Sequence, residues 1–505
     1  MLAKVYTGAT VGLQALPITV EVDVASQGIP AFAIVGLADK AVDESKERIR
    51  AALRNSKIDF PPKRITVNLA PADLPKEGPS FDLAIALGII IASGQLECDV
   101  SDTLMVGELS LDGGLSHTAG VLAIALLAKK VGKKRLFVPI ENSREASVVD
   151  GVEVYGFKNI EEVFLFLLKQ KEVVPLPYQS FNLVDDAVYD YDFTQIRGQE
   201  QSKRALEIAA SGSHNVLMKG PPGSGKTMLA RAFPSILPPL SLEEALEVTQ
   251  IYSITGNLTK DKPLITTRPF RSPHHTASFV GLIGGGGSIR PGEVSMAHRG
   301  VLFLDELPEF PRQVLESLRQ PLEDKRVVIS RASGTLVFPA QFMFLCALNP
   351  CPCGFLNSPK KDCVCMPGQI SRYQKKISGP LLDRIDIHLD VPAVEVDKLT
   401  DDLISEDSLT IRKRVKRARE IQTERFKDTK IITNAEMSNE MIKKYCLVTK
   451  DAIDLLKMAI STMNLSARSY HRVLKLSRTI ADMAESEKIL TEHIAEALQY
   501  RVKSD

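Results

Sequence analysis

The chain has 505 residues, 44% of them hydrophobic and 25% charged, and a formal net charge of +1. At ~150 residues per domain it is too long for one core and suggests about three units. The charge balance excludes a uniformly basic nucleic-acid binder but leaves room for a local basic channel. The apolar runs Leu83 to Ala92 and Val121 to Ala128 fall short of the ~20 residues that cross a bilayer, so no membrane association is expected. No charged-then-apolar signal opens the chain, and its seven cysteines are expected to stay reduced in the cytoplasm.

Residues 1–171 open with strand periodicity: Ile18, Val20, Val22 and Val24 alternate with Thr19, Glu21 and Asp23. Ala31 to Val35 and Arg64 to Leu69 add strands, and Asp39 to Leu53 is an amphipathic helix. PKEGPS, ending at Ser80, opens an apolar helix through Ile91, and GELSLDGGL follows from Gly107 to Leu115. This pair of strings resembles the proteolytic domain of the Lon family, which implies an α+β fold with Ser80 at the nucleophile position. The helix that would carry its lysine base reads GVLAIALLA, with Ala123 and Ala125 at the two lysine positions. A serine hydroxyl needs an adjacent base at neutral pH. The expected domain is therefore a protease fold without protease activity, used for structure or partner contact. Strands at Arg135 to Pro139 and Val152 to Tyr155 and a helix at Ile160 to Leu168 complete it. Residues 172–194 carry two prolines, several aspartates and no helical period, and read as a linker.

The span 195–395 is organised around Asn215 to Thr227, NVLMKGPPGSGKT: an apolar strand, a glycine-rich loop and the start of a helix. Gly220, Pro221, Pro222, Gly223, Ser224, Gly225, Lys226 and Thr227 fit G-x-x-x-x-G-K-[ST]. Small residues let backbone N–H groups curl around a polyphosphate, and a helix N-terminus adds partial positive charge. Lys226 would reach the outer phosphates and Thr227 would ligate Mg²⁺. Upstream, Gly198 to Ala210 reads as a helix, either over the adenine or as plain packing. Gly300 to Phe310, GVLFLDELPEF, is an apolar strand delivering two carboxylates: Asp305 for the Mg²⁺ shell, Glu306 to orient the attacking water. Phe342 to Asn349 is a third such strand, ending in a polar residue.

These pieces resemble the AAA+ ATPases. The resemblance implies that Asn349 is the first sensor, contacting the γ-phosphate or the water. It also implies that Arg384, within GPLLDRIDIHLD, is an arginine finger of the magnesium-chelatase branch that acts across a subunit boundary. An ion pair with Asp383 or Asp386 is the competing reading of Arg384. The stretch Arg268 to His298, with four consecutive glycines, resembles the pore-facing insert of that branch. His274 and His275 there lack partners at ligand spacing, and read as loop or substrate contacts. Leu322 to Phe338 predicts a hairpin about Arg331 to Gly334, with Arg326 and Arg331 as candidate DNA-phosphate contacts beside the alternative of a solvated hairpin. Cys351, Cys353, Cys363 and Cys365 form C-x-C-x₉-C-x-C. Four thiolates can close a tetrahedral structural Zn²⁺ site; unliganded reduced thiols, and redox or iron–sulfur use, are the alternatives.

Residues 396–505 predict a helical lid. Ser408 to Phe426 carries seven Lys/Arg, either lining a nucleic-acid path or forming a solvated face. Helices follow at Asp451 to Thr462, Ala467 to Glu485 and Thr491 to Val502. LSARSYHRVLKLSRTIAD resembles the second sensor, with Arg468 matching the arginine that touches the γ-phosphate and Arg472 as the fallback. Taken together, the chain resembles the YifB/ComM family of magnesium-chelatase-like ATPases. The resemblance implies α/β architecture, ATP and Mg²⁺ as cofactors, a homo-hexameric ring and DNA as partner, with branch migration during natural transformation as the activity. A magnesium-chelatase motor subunit and a protein-remodelling or transcription-activating ring are the alternatives.

Overall fold

The structure is a computed structural model. It describes residues 2–501 except 28, 38, 75, 77, 180–188, 260–261, 287–288, 332–333, 358–360, 394–404 and 464–465. The chain is mixed α/β and gathers into two compact units, 1–183 with 242–265, and 184–241 with 266–505.

The first unit is built on a seven-stranded sheet. Its strands are β1 (Leu2–Val11), β2 (Gln14–Val24), β3 (Ala31–Val35), β4 (Arg64–Ala70), β5 (Thr103–Met105), β8 (Arg135–Pro139) and β9 (Glu153–Phe157), in the order β3-β4-β2-β1-β5-β8-β9; β6 (Glu108–Leu109) and β7 (Leu115–Ser116) form a separate small hairpin. β1 and β2 pair antiparallel along their length, and the predicted alternation sends Ile18, Val20, Val22 and Val24 into the core. The helix Lys40–Asn55 starts where the Asp39 carboxylate accepts from the Val42 N–H at 2.8 Å. The helix Asp82–Ala92 has almost no polar face because it is buried nearly all round.

Residues 242–265 lie in sequence between the glycine-rich loop and β14, inside the span read as one ATPase core, yet they cluster with the first unit. Their helix Leu242–Thr255 buries Ala245, Val248 and Ile251. The buried Glu145 carboxylate accepts from the Ser253 hydroxyl at 2.5 Å, the Leu122 N–H at 3.0 Å and the Asn142 amide at 3.0 Å. A buried charge supplied with three donors keeps its solvation in kind.

The second unit holds a five-stranded parallel sheet. β10 (Val216–Lys219), β11 (Phe270–Arg271), β14 (Val301–Leu304), β17 (Met343–Leu348) and β18 (Ile387–Asp390) lie in the order β11-β14-β17-β10-β18. Between them run two hairpins, β12 (Gly284–Gly285) with β13 (Arg290–Pro291), and β15 (Arg326–Arg331) with β16 (Gly334–Pro339). Both sheet faces are covered, which is why the parallel strands read as continuous apolar runs. Val216, Met218, Phe303 and Leu345 face one core, and Leu217, Leu304, Phe344 and Cys346 the other. The first of these cores continues into the C-terminal helices through Val415, Leu474, Leu476 and Ile494, so strands and lid share one apolar cluster. The described lid helices are Ser408–Phe426, the short Asn439–Tyr445, Lys450–Met463, Ala467–Met483 and Thr491–Gln499.

Candidate active site

Parallel strands gather their following loops at one edge, and a ligand sits where the strand order reverses. Here β10 lies between β17 and β18, and its loop is the glycine-rich one. Gly223 (φ +74°) and Gly225 (φ +90°) take left-handed backbone that a side chain would strain, and Gly225 leads into the helix Lys226–Ala232. The Lys226 ammonium donates to the carbonyls of Gly220 (2.8 Å) and Pro221 (2.9 Å) and lies 3.3 Å from Asn349 Oδ1. Burial lowers its pKa below the ordinary lysine value, against the pull of Asp305 and Glu306. Asp305 follows β14, and its Oδ2 accepts from Thr227 Oγ1 at 2.7 Å. The structure thus brings Lys226, Thr227, Asp305 and Asn349 together from three strand ends.

Glu306 stands next to them with φ +51°, a conformation uncommon for glutamate. Its Oε2 lies 3.7 Å from His275 Nδ1, and the His275 ring lies 4.0 Å, centroid to centroid, from that of His274. Nothing local in the chain signals this meeting, because β11 and β14 become neighbours only in the folded sheet.

Arg384 lies at the other edge. Its carbonyl accepts from the Asn215 amide at 2.9 Å, just before β10 begins. Five strand residues at ~3.3 Å each put this edge roughly 16 Å from Gly220, beyond the reach of an arginine. The Arg384 guanidinium pairs with Glu323 and donates to the Pro380 carbonyl at 2.7 Å. Neither Asp383 nor Asp386 is its partner among the described residues. Arg468 Nη2 approaches the same Glu323 at 3.6 Å, so the two predicted phosphate-sensing arginines sit side by side. Arg472 instead donates to Asp386 at 2.6 Å, and Asp386 also meets the buried His214 at 3.4 Å. A cavity of about 820 Å³ opens here, lined by Lys325, Arg384, Arg468, Arg472 and Lys475 among others. The buried Nε atoms of Arg384 and Arg472 have no hydrogen-bond partner among the described residues.

The four cysteines converge. Cys351 Sγ lies 3.4 Å from Cys353 Sγ and 3.6 Å from Cys363 Sγ, Cys353 Sγ lies 3.6 Å from Cys363 Sγ, and all four sulfurs fall within 4.8 Å of one another. A tetrahedral site with Zn–S bonds of ~2.3 Å needs sulfurs roughly 3.8 Å apart. The Phe355 N–H holds the Cys353 thiol down at about 6. Burial does the reverse to the remaining cysteines, raising Cys98 and Cys346 and pushing Cys446 up to about 12. The quartet fits a metal; no histidine joins it among the described residues.

Comparison with known proteins agrees along the whole length. The family profile described as magnesium chelatase, subunit ChlI, matches residues 192–399, with further ChlI profiles on 20–142 and 405–501. Competence protein ComM of Haemophilus influenzae is 44% identical across 99% of this chain and 97% of its own. The chain belongs to the YifB/ComM family of magnesium-chelatase-like AAA+ ATPases. YifB of Escherichia coli is 41% identical over 99% of this chain and 97% of its own. Lon protease 2 of Bacillus subtilis is 32% identical over 24% of this chain and 21% of its own.

Membership makes the chain an AAA+ ATPase and implies ATP and Mg²⁺. The residues present fit both: a glycine cradle with a buried lysine for the phosphates, and the Thr227 and Asp305 oxygens for a hard cation. Mg²⁺ there would neutralise charge on the outer phosphates. In the first unit, Ala123 and Ala125 are buried methyl groups on the helix Val121–Lys130. Among the described residues no helix is long and apolar enough to cross a membrane.

The basic helix Ser408–Phe426 spends much of its charge on ion pairs and hydrogen bonds within the chain. Arg414 pairs with Glu207 and Glu406, Arg417 with Glu485 and Arg425 with Asp482, while Arg419 donates to the Ala210 carbonyl. Arg326 is exposed at the start of β15; the Arg331 side chain at its end lies outside the described residues.

Proposed function

We propose that this protein is an ATP-driven ring motor that acts on DNA, with single-stranded or branched DNA threaded through a homo-hexamer. The observation that carries the ring is the position of Arg384. It stands about one strand length from its own phosphate loop, with Arg468 beside it and a basic cavity between, so any γ-phosphate these arginines meet belongs to a neighbouring subunit. Within each site Lys226 and the backbone of Gly220–Thr227 hold the phosphates, Thr227 and Asp305 hold Mg²⁺, Glu306 orients the water and Asn349 senses the γ-phosphate. Arg326 and Arg331, on the hairpin, contact the DNA backbone.

The DNA assignment rests on the family resemblance and on the competence protein ComM among the relatives, and points to branch migration during integration of incoming DNA. The N-terminal unit is a Lon-like fold without peptidase function, and the cysteine quartet holds structural Zn²⁺. We place the protein in the cytoplasm. A second reading, a motor subunit for inserting magnesium into a tetrapyrrole, draws on the family description and on the magnesium-chelatase 67 kDa subunit of Chlorobaculum parvum, 29% identical over 31% of this chain. ATPase rate and strand displacement measured on purified protein against forked DNA, branched DNA and no DNA separate the two. DNA stimulation with displacement supports the motor on DNA. A rate indifferent to every DNA and raised only by a partner protein removes that reading.

A further inference from the structure

We propose that the four-cysteine knuckle is a metal-dependent brace for the phosphate loop, so that metal loading sets the affinity for nucleotide. The proposal rests on the ATPase reading above and adds to it a control that the nucleotide motifs do not contain.

The knuckle begins two residues after Asn349, whose Oδ1 lies 3.3 Å from the Lys226 ammonium. Cys351 is fully buried, and its carbonyl accepts from the Gly354 N–H at 2.9 Å, closing a tight turn. Gly354 takes φ +85° and lies directly on the phosphate loop: a Cβ there would stand 2.4 Å from Pro222 Cδ, 2.6 Å from Pro222 Cγ and 3.7 Å from Asn349 Cγ. Those proline atoms belong to a ring fixed to the loop's own backbone, so they cannot swing aside as a flexible side chain would. The residue that leads from Asn349 into the knuckle is tied down too, where Gln374 donates to the Pro350 carbonyl at 3.3 Å.

The brace is only as firm as whatever holds the four sulfurs together. At separations of 3.4–3.6 Å the metal-free cysteines are held only by weak S–H···S contacts, whereas a tetrahedral Zn²⁺ would take all four as thiolates and displace their protons. With metal bound, the turn at Gly354 presses Pro222 into the loop conformation that aims N–H groups at phosphate, and Asn349 stays beside Lys226. Without it, the turn loosens and both contacts lose their backing. Preorganising a binding loop raises affinity by removing an ordering cost, so the effect appears in nucleotide binding itself.

The test uses the full chain and reads binding rather than turnover. Bound zinc is quantified by mass spectrometry, and a fluorescent ATP analogue is titrated in Mg²⁺ into wild type, zinc-stripped wild type, the zinc-stripped protein after zinc is returned, and Gly354→Val. We expect about one zinc per chain. Stripping should weaken nucleotide binding about tenfold or more, and returned zinc should restore it. Gly354→Val, with Pro222 displaced, should show a similar loss while keeping its metal. Should stripping unfold the chain, as circular dichroism would show, the Gly354→Val arm decides. Wild-type affinity in the folded stripped protein or in Gly354→Val overturns the brace, as does a wild type that neither carries nor takes up zinc. A zinc-loaded wild type that binds no ATP overturns the ATPase reading and the brace with it, which distinguishes the two failures.

Discussion

The Thr227 hydroxyl donates to the Asp305 carboxylate at 2.7 Å, so the phosphate-loop helix and the end of β14 already hold side by side the two oxygens a magnesium ion would take. Mg²⁺ demands near-octahedral oxygen ligands and keeps most of its water, so two protein oxygens plus phosphate suffice. Thr227→Ala and Asp305→Asn each remove one of them. Even partners of metal ligands cost roughly 10–100-fold in metal affinity when mutated, which is a floor for a ligand itself. A magnesium titration of the ATPase at fixed ATP should show that shift in both variants. Half-saturation at the wild-type magnesium concentration would remove both residues from the ion's shell.

Lys226 and Glu306 should fail in different ways. Lys226→Ala deletes a charged donor aimed at phosphate, a contact worth about 1.5–3 kcal/mol, and should weaken ATP binding roughly 10–100-fold. Glu306→Gln leaves the phosphate contacts alone and removes only the group proposed to orient water. ATP binding should be retained and the single-turnover rate should fall on the order of 10²–10⁴-fold. Normal hydrolysis by Glu306→Gln would reassign the water-orienting role, and His275, 3.7 Å away, would be the next residue to examine.

Arg384 and Arg468 both reach Glu323, and the proposal that they serve a neighbouring subunit is testable in trans. Arg384→Ala leaves its own phosphate loop intact but deprives a neighbour, with an expected loss of about 10³–10⁵ in rate. Lys226→Ala has the opposite defect. In the proposed ring, mixed assemblies contain interfaces that pair an intact loop with an intact arginine, so mixing the two inactive proteins should restore a fraction of wild-type ATPase. Mixtures as inactive as their components, with hetero-ring formation verified by cross-linking, would place Arg384 outside the neighbour's site.

The contrast between these residues explains what could be read in the sequence. Lys226, Thr227, Asp305 and Asn349 each sit just past an apolar strand, and parallel strands send such positions to one edge whatever their order. The local pattern was therefore enough. Arg384 also neighbours a strand, but it precedes β18 instead of following it, and its partner Glu323 comes from another helix. His275 meets Glu306 only because β11 lies beside β14. The helix Leu242–Thr255 has an ordinary buried face, and nothing in that face says that Glu145 is what its Ser253 will meet. The arginines of Ser408–Phe426 read as a basic face because their acidic partners, Glu207 and Glu485, are remote in sequence.

Acid should destabilise the second unit through His388. Burial, then the nearby Arg501, lower its pKa from 6.5 to about 4, although Asp386 pulls the other way; Arg472 adds to the lowering. Burial also pushes the Asp386 carboxyl up, but Arg472, His214 and Arg501 overcome this and hold it well below the usual range, so it stays ionised throughout. A depressed histidine is bound by fewer protons in the folded state than in the unfolded one between those two pH values. Stability is therefore complete above pH ~6.5 and is lost as pH falls toward ~4, by up to about 3 kcal/mol from this one group. Chemical denaturation at steps across that window should show the decline, and His388→Gln, which cannot titrate, should flatten part of it. An equal slope in His388→Gln would assign the acid sensitivity to another buried group, with His214, also lowered by burial, the first to test.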